Sequence, residues 1–258
     1  MSMPAQPLLQ VRGLSVVAAG TTLLQDLDLS IAPGELVGVI GPNGAGKSTL
    51  LRCLAGLDAP GAGAVLLDAT PLQAASLEQR ARSIAWLEQR PQLHWPLLVE
   101  QVVALGRLPW RDQPQAQPAA TLVQRALERC DLLALREREF HSLSEGEKLL
   151  VNLARILVVE ARLILADEPT SALDPRQQLR VMELLQQEAQ SGKAVLAVLH
   201  DLTLAARYCT RLLLLHKGQL VASGSPEFVL TAQHLASVYE VSGAYDPALR
   251  TVIIAGNI

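Results

Sequence analysis

The residues best suited to chemistry form the glycine-rich segment GPNGAGKST at positions 41–49. The segment fits the pattern G-x-x-x-x-G-K-[ST] and follows an apolar run, residues 35–40, that is typical of a buried strand. In such a loop, backbone N–H groups and a helix N-terminus bind phosphates, Lys47 reaches the terminal phosphates, and the Ser48 hydroxyl can ligate Mg²⁺. We therefore expect polyphosphate binding here. The residues assigned to it are Gly41, Pro42, Asn43, Gly44, Ala45, Gly46, Lys47, Ser48 and Thr49.

A second motif, LILADEP at residues 163–169, supplies the acidic groups that a phosphate loop alone lacks. The apolar residues before Asp167 predict a buried parallel strand, which would deliver this carboxylate to the carboxyl edge of the sheet, where it can hold Mg²⁺ through water. Glu168 comes one residue later, past the strand end, and is placed to act as the general base on an attacking water. An acidic turn after a strand is common, so both assignments depend on the phosphate loop.

Four shorter motifs accompany these two. They are Gln89 at the end of IAWLEQ, HSLSEGEK at 141–148, SALD at 171–174 and His200 after AVLAVL. Within HSLSEGEK, Ser144 is followed three residues later by Glu147, which is a capping box. The helix that begins there is expected to expose free N–H groups and the positive end of its dipole, so it is a second anion site.

In order and spacing, from about residue 7 to residue 240, the chain resembles the nucleotide-binding subunit of an ABC transporter. HSLSEGEK is similar to that family's signature, whose usual form is LSGGQ, and the other three motifs resemble its Q-loop, D-loop and switch histidine. The resemblance implies an α/β fold of the P-loop NTPase class, with a mainly parallel sheet, an antiparallel β subdomain and a helical insert. It also implies an ATPase with ATP and Mg²⁺ as cofactors.

The resemblance further implies roles for the shorter motifs. Gln89 is expected to sense Mg²⁺ and the attacking water and to link the helical insert to the core, and His200 to contact the γ-phosphate. In this family the signature meets the nucleotide held by a second subunit, so Ser144, Gly146 and Asp174 are assigned to nucleotide binding across a dimer of identical or sister chains. Taken alone, Gln89 fits a loop amide, His200 a strand-end histidine and Ser144 a plain helix cap.

The chain departs from the family in two places. Glu145 stands where the signature usually has glycine, and Leu149 and Leu150 replace a Gln-Arg pair. A carboxylate near a γ-phosphate is repulsive unless it points away, so we expect slow turnover. The aromatic residue that usually stacks on adenine is also missing, because residues 16–19 are VVAA. Losing this stacking is expected to weaken ATP binding roughly 10-fold or more and to leave the base poorly discriminated.

The apolar pattern predicts the elements that hold these motifs. Strands are expected at 8–17, 23–31, 35–40, 163–166, 194–199, 212–215 and 219–222, and helices from residue 50, at 121–135, 175–190 and 202–208. Strands alternating with helices indicate a mainly parallel sheet, and residues 217–218 predict a hairpin turn. Strand-like runs are missing from 91 to 160. We predict a nucleotide-binding core at 1–88 and 161–258 and a helical, signature-containing subdomain at 89–160.

Composition narrows the classes of protein. Half of the 258 residues are hydrophobic but only 3% are aromatic, which favours a layered α/β core. The formal net charge of -3 disfavours binding to nucleic acid. The three cysteines form no CxxC pair and are expected to be buried thiols. No apolar run approaches the ~20 residues that cross a bilayer, and the N-terminus has no signal-peptide pattern.

The resemblance extends to one kind of ABC protein. The cassette stands alone, so its membrane permease would be a separate chain, and residues 96–110 and 200–241 resemble the subfamily that imports iron siderophores, haem and cobalamin. We expect a motor at the cytoplasmic face of the inner membrane, bound through the permease, and served indirectly by a periplasmic or lipoprotein substrate-binding protein.

Two questions stay open at this stage. Trp95, Leu97, Leu98 and Trp110 could form an exposed apolar patch for the permease, or they could pack the insert's own core. The alternative function is a soluble ABC-type regulatory or repair ATPase without a membrane partner. Such proteins usually carry tandem cassettes, long heptad insertions or basic surfaces, none of which this sequence has. A P-loop kinase would leave the shorter motifs without roles.

Overall fold

The computed structural model describes residues 6–89, 93, 95–113, 117–171 and 173–257. Residues 1–5 and 258 of the predicted core, residues 90–92, 94 and 114–116 of the predicted helical subdomain, and Ala172 of SALD lie outside the described residues. The strands are β1 (Leu9–Ala18), β2 (Thr21–Ile31), β3 (Leu36–Ile40), β4 (Ala62–Leu67), β5 (Thr70–Pro71), β6 (Ile84–Leu87), β7 (Leu163–Asp167), β8 (Ala194–Val198), β9 (Arg211–His216), β10 (Gln219–Gly224), β11 (Val241–Asp246) and β12 (Thr251–Asn257).

The helices are α1 (Lys47–Leu54), α2 (Leu77–Ser83), α3 (Val99–Ala104), α4 (Ala119–Arg129), α5 (Glu145–Leu157), α6 (Pro175–Gln190), α7 (Leu202–Tyr208), α8 (Pro226–Val229) and α9 (Ala232–Tyr239). Short 3-10 helices cover Leu72–Ala74, Leu105–Trp110, Leu133–Leu135 and Phe140–Ser142.

A six-stranded sheet forms the centre of the fold, in the order β10-β9-β3-β8-β7-β6. Its neighbours from β9 to β6 are parallel, and only the edge pair β10–β9 is antiparallel. Strands β3, β7 and β8 are buried along their whole length, as expected of parallel strands covered on both faces. The mainly parallel α/β sheet is therefore confirmed, and Lys217 and Gly218, both at positive φ, make the predicted hairpin turn between β9 and β10.

A second sheet, in the order β2-β1-β4-β5, is antiparallel and forms the expected β subdomain. Strand β4 is not among the predicted elements, because AGAVLL begins with three small residues. Within it, Gly63 lies in the left-handed region at φ 82°. This sheet and α1 pack on one face of the central sheet. Successive residues of a strand point to opposite faces, so Val37 faces this core whereas Leu36 faces the helices on the other side.

Between β6 and β7, the described elements are helices and 3-10 turns joined by loops, and α5 is the most buried of them. The helix expected at 121–135 instead ends at Arg129. Asp131 adopts a positive φ of 57°, and the Leu132 amide bonds to the Leu127 carbonyl at 2.8 Å, which closes the helix end before a 3-10 turn follows. These helices share one continuous core with the central sheet, so the subdomain at 89–160 stays a prediction.

The chain ends in α8, α9 and the antiparallel hairpin β11–β12, which packs against α7 and α9. This hairpin is not among the elements predicted from the sequence. Within the described part of the chain, every helix is too short or too polar to cross a lipid bilayer.

Candidate functional site

The glycine-rich segment forms the turn between β3 and α1. Gly41, Gly44 and Gly46 have φ angles of 146°, 79° and 99°, in the region that favours glycine. A Cβ on Gly41 would lie 2.1 Å from the Leu215 carbonyl oxygen, so the first glycine is also required by close packing. Gly46 is the N-cap of α1 and offers no side chain to cap it. The N-terminal N–H groups of α1 are therefore available to an anion.

Lys47 lies buried beneath this loop, with 6% of its surface exposed. Its ammonium group donates hydrogen bonds to the carbonyls of Gly41 at 2.8 Å and Pro42 at 2.9 Å. Burial lowers the pKa of Lys47, and the carboxylates of Glu168 and Asp167 oppose that shift. The lysine thus holds a positive charge against the inner side of the loop.

Ser48 joins the loop to the second motif, because its hydroxyl donates to Asp167 at 3.2 Å. Asp167 is the last residue of β7 and is only 5% exposed. Burial raises the pKa of Asp167, and the bond from Ser48 partly offsets this shift. Asp167 and Ser48 lie side by side, as the sequence motifs predict.

Glu168 lies at the centre of a three-residue cluster. The Gln89 amide donates to one carboxylate oxygen of Glu168, and the Nε2 atom of His200 lies 2.5 Å from the other. These residues follow the carboxyl ends of the parallel strands β6, β7 and β8, which are neighbours in the sheet. Glu168 itself has φ 52°, a strained value for a residue with a side chain and one that often accompanies function.

The signature segment begins α5 on its own capping box. The Ser144 side chain is the N-cap: its hydroxyl accepts from the Glu147 amide and donates to the Glu147 carboxylate at 2.8 Å, while the Ser144 amide bonds to the same carboxylate oxygen at 2.8 Å. These bonds lower the pKa of Glu147. The predicted capping box is therefore confirmed.

Gly146 and Asp174 lie next to this helix start. A Cβ on Gly146 would approach the side chains of Gln177 at 2.8 Å and Leu173 at 3.2 Å, so a glycine lets α5 pack closely against the start of α6. Asp174 caps α6 by accepting from the Gln177 amide at 2.9 Å. We call Ser144, Gly146 and Asp174 the signature group.

The structure does not join the signature group to the phosphate loop. In the parts of the chain that are described, no hydrogen bond or ion pair links any of its members to Lys47, Asp167 or Glu168. By contrast, Lys47, Ser48, Gln89, Asp167, Glu168 and His200 come together at one edge of the central sheet. One chain thus holds two separate groups of predicted site residues.

The residues that depart from the family pattern have clear positions. The Glu145 side chain is 79% exposed and lies 2.8 Å from the Lys148 ammonium group. Leu149 and Leu150 are 6% and 8% exposed and pack in the helical core. The Glu145 carboxylate in the signature therefore forms an ion pair with Lys148. This pair was not predicted from the sequence, although its i,i+3 spacing could have indicated it.

Tyr239, near the end of α9, is a further residue that the sequence analysis missed. Its hydroxyl is buried beside the Gly41 amide without meeting the geometry of an ordinary hydrogen bond. Burial raises the pKa of Tyr239, and the Gly41 amide opposes that shift. The sequence separation is too large for any local pattern to indicate this contact.

The apolar residues of the insert divide between the two alternatives. Trp95 is 68% exposed, whereas Leu97 packs against the core. Trp110 donates its indole N–H to the Val159 carbonyl at 2.8 Å, and Arg107 lies 5.4 Å from its ring centre. Trp110 therefore stabilises the insert, and Trp95 remains a surface side chain.

Known proteins resemble this chain in sequence. A family model described as ABC transporter matches residues 24–171. The chain is 43% identical over 239 residues to the hemin import ATP-binding protein HmuV of Pseudomonas putida, covering 91% of this chain and 93% of that protein. It is 41% identical over 249 residues to the cobalamin import ATP-binding protein BtuD of Halobacterium salinarum, covering 95% of this chain and 63% of that protein.

Solved structures resemble this chain in fold. A metal-chelate type ABC transporter in an inward-facing conformation superposes with a TM-score of 0.79 at 28% identity, over 96% of each chain. The dimeric structure of a bacterial ABC transporter cassette superposes with a TM-score of 0.77 at 26% identity, over 84% of this chain and 98% of that one.

Proposed function

The chain belongs to the ABC transporter family, and from this premise we propose that it is the ATP-hydrolysing motor subunit of an importer that acts through a separate permease. The observation that carries the proposal is the cluster at the carboxyl edge of the central sheet, where Lys47, Asp167 and Glu168 meet beside an uncapped helix N-terminus. Such an edge is where α/β folds bind and process nucleotides.

ATP is bound by the loop at residues 41–49. The N–H groups at the start of α1 bind the phosphates, and Lys47 leaves the carbonyls of Gly41 and Pro42 to reach the terminal phosphates. Burial lowers the pKa of Lys47 because it disfavours the charged ammonium group. Phosphate oxygens at the loop would stabilise that charge. Residues 16–19 offer no aromatic ring, so the phosphates supply most of the affinity.

The residues beside the loop fit Mg²⁺. Asp167 and Ser48 provide hard oxygen donors at hydrogen-bond distance from each other, and Gln89 adds an amide oxygen nearby. No group of three or more His, Cys, Asp or Glu that could hold a metal occurs among the described residues, which suits an ion that takes its other ligands from phosphate and water. When bound, Mg²⁺ neutralises charge on the phosphate oxygens.

Glu168 is the general base for hydrolysis. It accepts a proton from water as the water oxygen bonds to the γ-phosphorus, and the bond between that phosphorus and the β–γ bridging oxygen breaks, which yields ADP and phosphate. Gln89 and His200 hold the two oxygens of this carboxylate, so they orient it, and His200 is placed to contact the γ-phosphate once nucleotide is bound.

The signature group acts on the nucleotide of a second chain. Among the described residues it has no hydrogen bond or ion pair to the phosphate loop of its own chain, yet it presents a helix N-terminus that can bind an anion. Two chains that meet head to tail would place each signature group against the γ-phosphate in the other chain. The solved cassette described above is dimeric, which supports the pairing of two chains.

The transported molecule is a metal chelate or a cobalamin-type compound, since relatives at 41% to 43% identity are named for hemin and cobalamin import. The chain would work at the cytoplasmic face of the cell membrane, bound to the permease, and a substrate-binding protein would deliver cargo from outside. The exposed Trp95 and Leu108 offer the permease an apolar contact. A regulatory or repair ATPase is not favoured, because these relatives are import subunits.

Affinity purification of the tagged chain from host membranes tests the importer role. We expect a polytopic permease to be recovered with the chain, and Trp95→Ser to reduce that recovery without changing ATP binding. Recovery of the chain with no integral membrane protein, under conditions in which a known importer cassette retains its permease, would contradict the proposal.

A further inference from the structure

The first turn of α5 carries two carboxylates at the place where a phosphate would bind. Glu147 is used by the cap, since it accepts from the amide and the hydroxyl of Ser144, and Arg138 lies close enough to act on its charge. Glu145 has no part in the cap. Its side chain points to solvent and is held by the Lys148 ammonium group at 2.8 Å.

The helix has little need of this ion pair for its own stability. Exposed pairs at i,i+3 contribute little, and α5 already has a complete capping box. Its middle turns include Val151, Leu153 and Ala154, all fully buried. The Glu145–Lys148 pair is therefore better explained by ligand binding at the start of α5 than by the stability of the helix.

The N–H groups of Glu145 and Gly146 are the ones left for a ligand. The cap takes only the Glu147 amide, and neither of the two earlier amides has an acceptor among the residues that the structure describes. The side chain of Glu145 is attached to the first of them. If its carboxylate were free, it could fold over this position and repel a phosphate.

We propose that Lys148 is a positioning residue for the nucleotide: by binding the Glu145 carboxylate and neutralising its charge, it keeps the N–H groups of Glu145 and Gly146 open to the γ-phosphate held by a partner chain. This inference depends on the proposed head-to-tail dimer. An unneutralised Glu145 carboxylate would repel the γ-phosphate more strongly in the closed dimer than on the surface of an isolated subunit. Closing the dimer removes the water that screens these two negative charges.

A comparison of four variants tests the proposal. All carry Glu168→Gln to suppress hydrolysis, and analytical ultracentrifugation measures the dimerisation constant as MgATP is added. We expect Lys148→Ala to weaken dimerisation about 10-fold and Lys148→Arg to change it less than about 2-fold. Glu145→Ala should dimerise at least as tightly as the reference. The double variant Glu145→Ala/Lys148→Ala should return to within about 2-fold of Glu145→Ala.

A matched control removes a cation from an exposed ion pair elsewhere. Arg162 lies just before β7 and pairs with Asp68 at 2.5 Å. Arg162→Ala changes the net charge by the same amount as Lys148→Ala, and it should leave dimerisation unchanged. The affinity of each monomer for ATP and its thermal midpoint show whether any variant is misfolded.

The outcomes separate this inference from the proposed function. If the Glu168→Gln reference does not dimerise with MgATP, the dimer itself is refuted before any charge variant is compared. If the reference dimerises and Lys148→Ala equals it, the role of Lys148 is refuted alone. A double variant as weak as Lys148→Ala also refutes it, because the lysine would then act by direct contact and not by neutralising Glu145.

Discussion

Helices α1 and α5 both begin at a predicted phosphate site, but their N-termini are built differently. Helix α1 starts behind Gly46 with no side-chain cap, and a buried lysine follows at once. Helix α5 starts with a complete capping box and carries two carboxylates in its first turn. The first N-terminus is prepared for an anion by its own chain, whereas the second is exposed and its cap satisfies only the Glu147 amide. Nucleotide should therefore bind first at α1, and only the bound nucleotide recruits α5 of a second chain.

Removing the general base separates ATP hydrolysis from ATP binding. Glu168→Gln should lower ATP turnover about 10³-fold, because general-base catalysis is lost, and should leave the ATP dissociation constant within about 3-fold. Steady-state phosphate release and equilibrium nucleotide binding measure the two effects. Turnover close to wild type would remove Glu168 from its role as base.

Removing the cation at α1 breaks the stronger of the two sites. Lys47→Ala should raise the dissociation constant of ATP for the monomer about 100-fold, because a buried charge-assisted contact to phosphate is lost. Fluorescent-nucleotide titration of the monomer measures this change. If affinity for ATP is retained, the phosphates are not bound by the loop at 41–49.

Removing the hydroxyl at α5 tests the weaker site and sharpens the contrast. Ser144→Ala should leave ATP binding to the monomer unchanged but lower turnover about 10-fold, since the second chain then grips the γ-phosphate less well. Loss of the N-cap should also cost about 1 kcal/mol of helix stability, which thermal unfolding can measure. Weaker ATP binding by the monomer would instead place Ser144 at the nucleotide of its own chain.

The smallest expected effect concerns recognition of the nucleotide's adenine ring. Residues 16–19 have no aromatic side chain, and only Val17 among them is a large exposed hydrophobic residue. Because the phosphates supply most of the affinity, the dissociation constants of ATP and GTP should agree within about 3-fold. Isothermal titration of both nucleotides decides this, and a strong preference for adenine would show that another group recognises the base.

The sequence predicted the α1 site better than the α5 site. Residues that belong to the sheet edge follow parallel strands directly, so the positions of Asp167 and Glu168 could be predicted from an apolar run and a turn. Helices α6 and α7 have the predicted bounds, because Asp174 and Asp201 cap them and both follow clear strand patterns.

What sequence reasoning missed depends on contacts between distant residues or between side chains that share a helix face. Tyr239 reaches Gly41 across most of the chain, so no local pattern indicates it. The Glu145–Lys148 pair has helical spacing, but spacing alone does not show that the two side chains meet at 2.8 Å. The short strand β4 has too few large side chains to be recognised.

The central claim is that each ATP lies between α1 of one chain and α5 of another. Native mass spectrometry of a mixture of Lys47→Ala and Ser144→Ala variants, each also carrying Glu168→Gln, tests it most directly. In a head-to-tail dimer of one chain of each kind, the Ser144→Ala chain supplies an intact loop and the Lys47→Ala chain an intact signature. The account predicts mixed dimers with bound ATP in clearly greater amount than either variant forms alone. A mixture that stays monomeric, while the Glu168→Gln parent forms ATP-bound dimers, would contradict it.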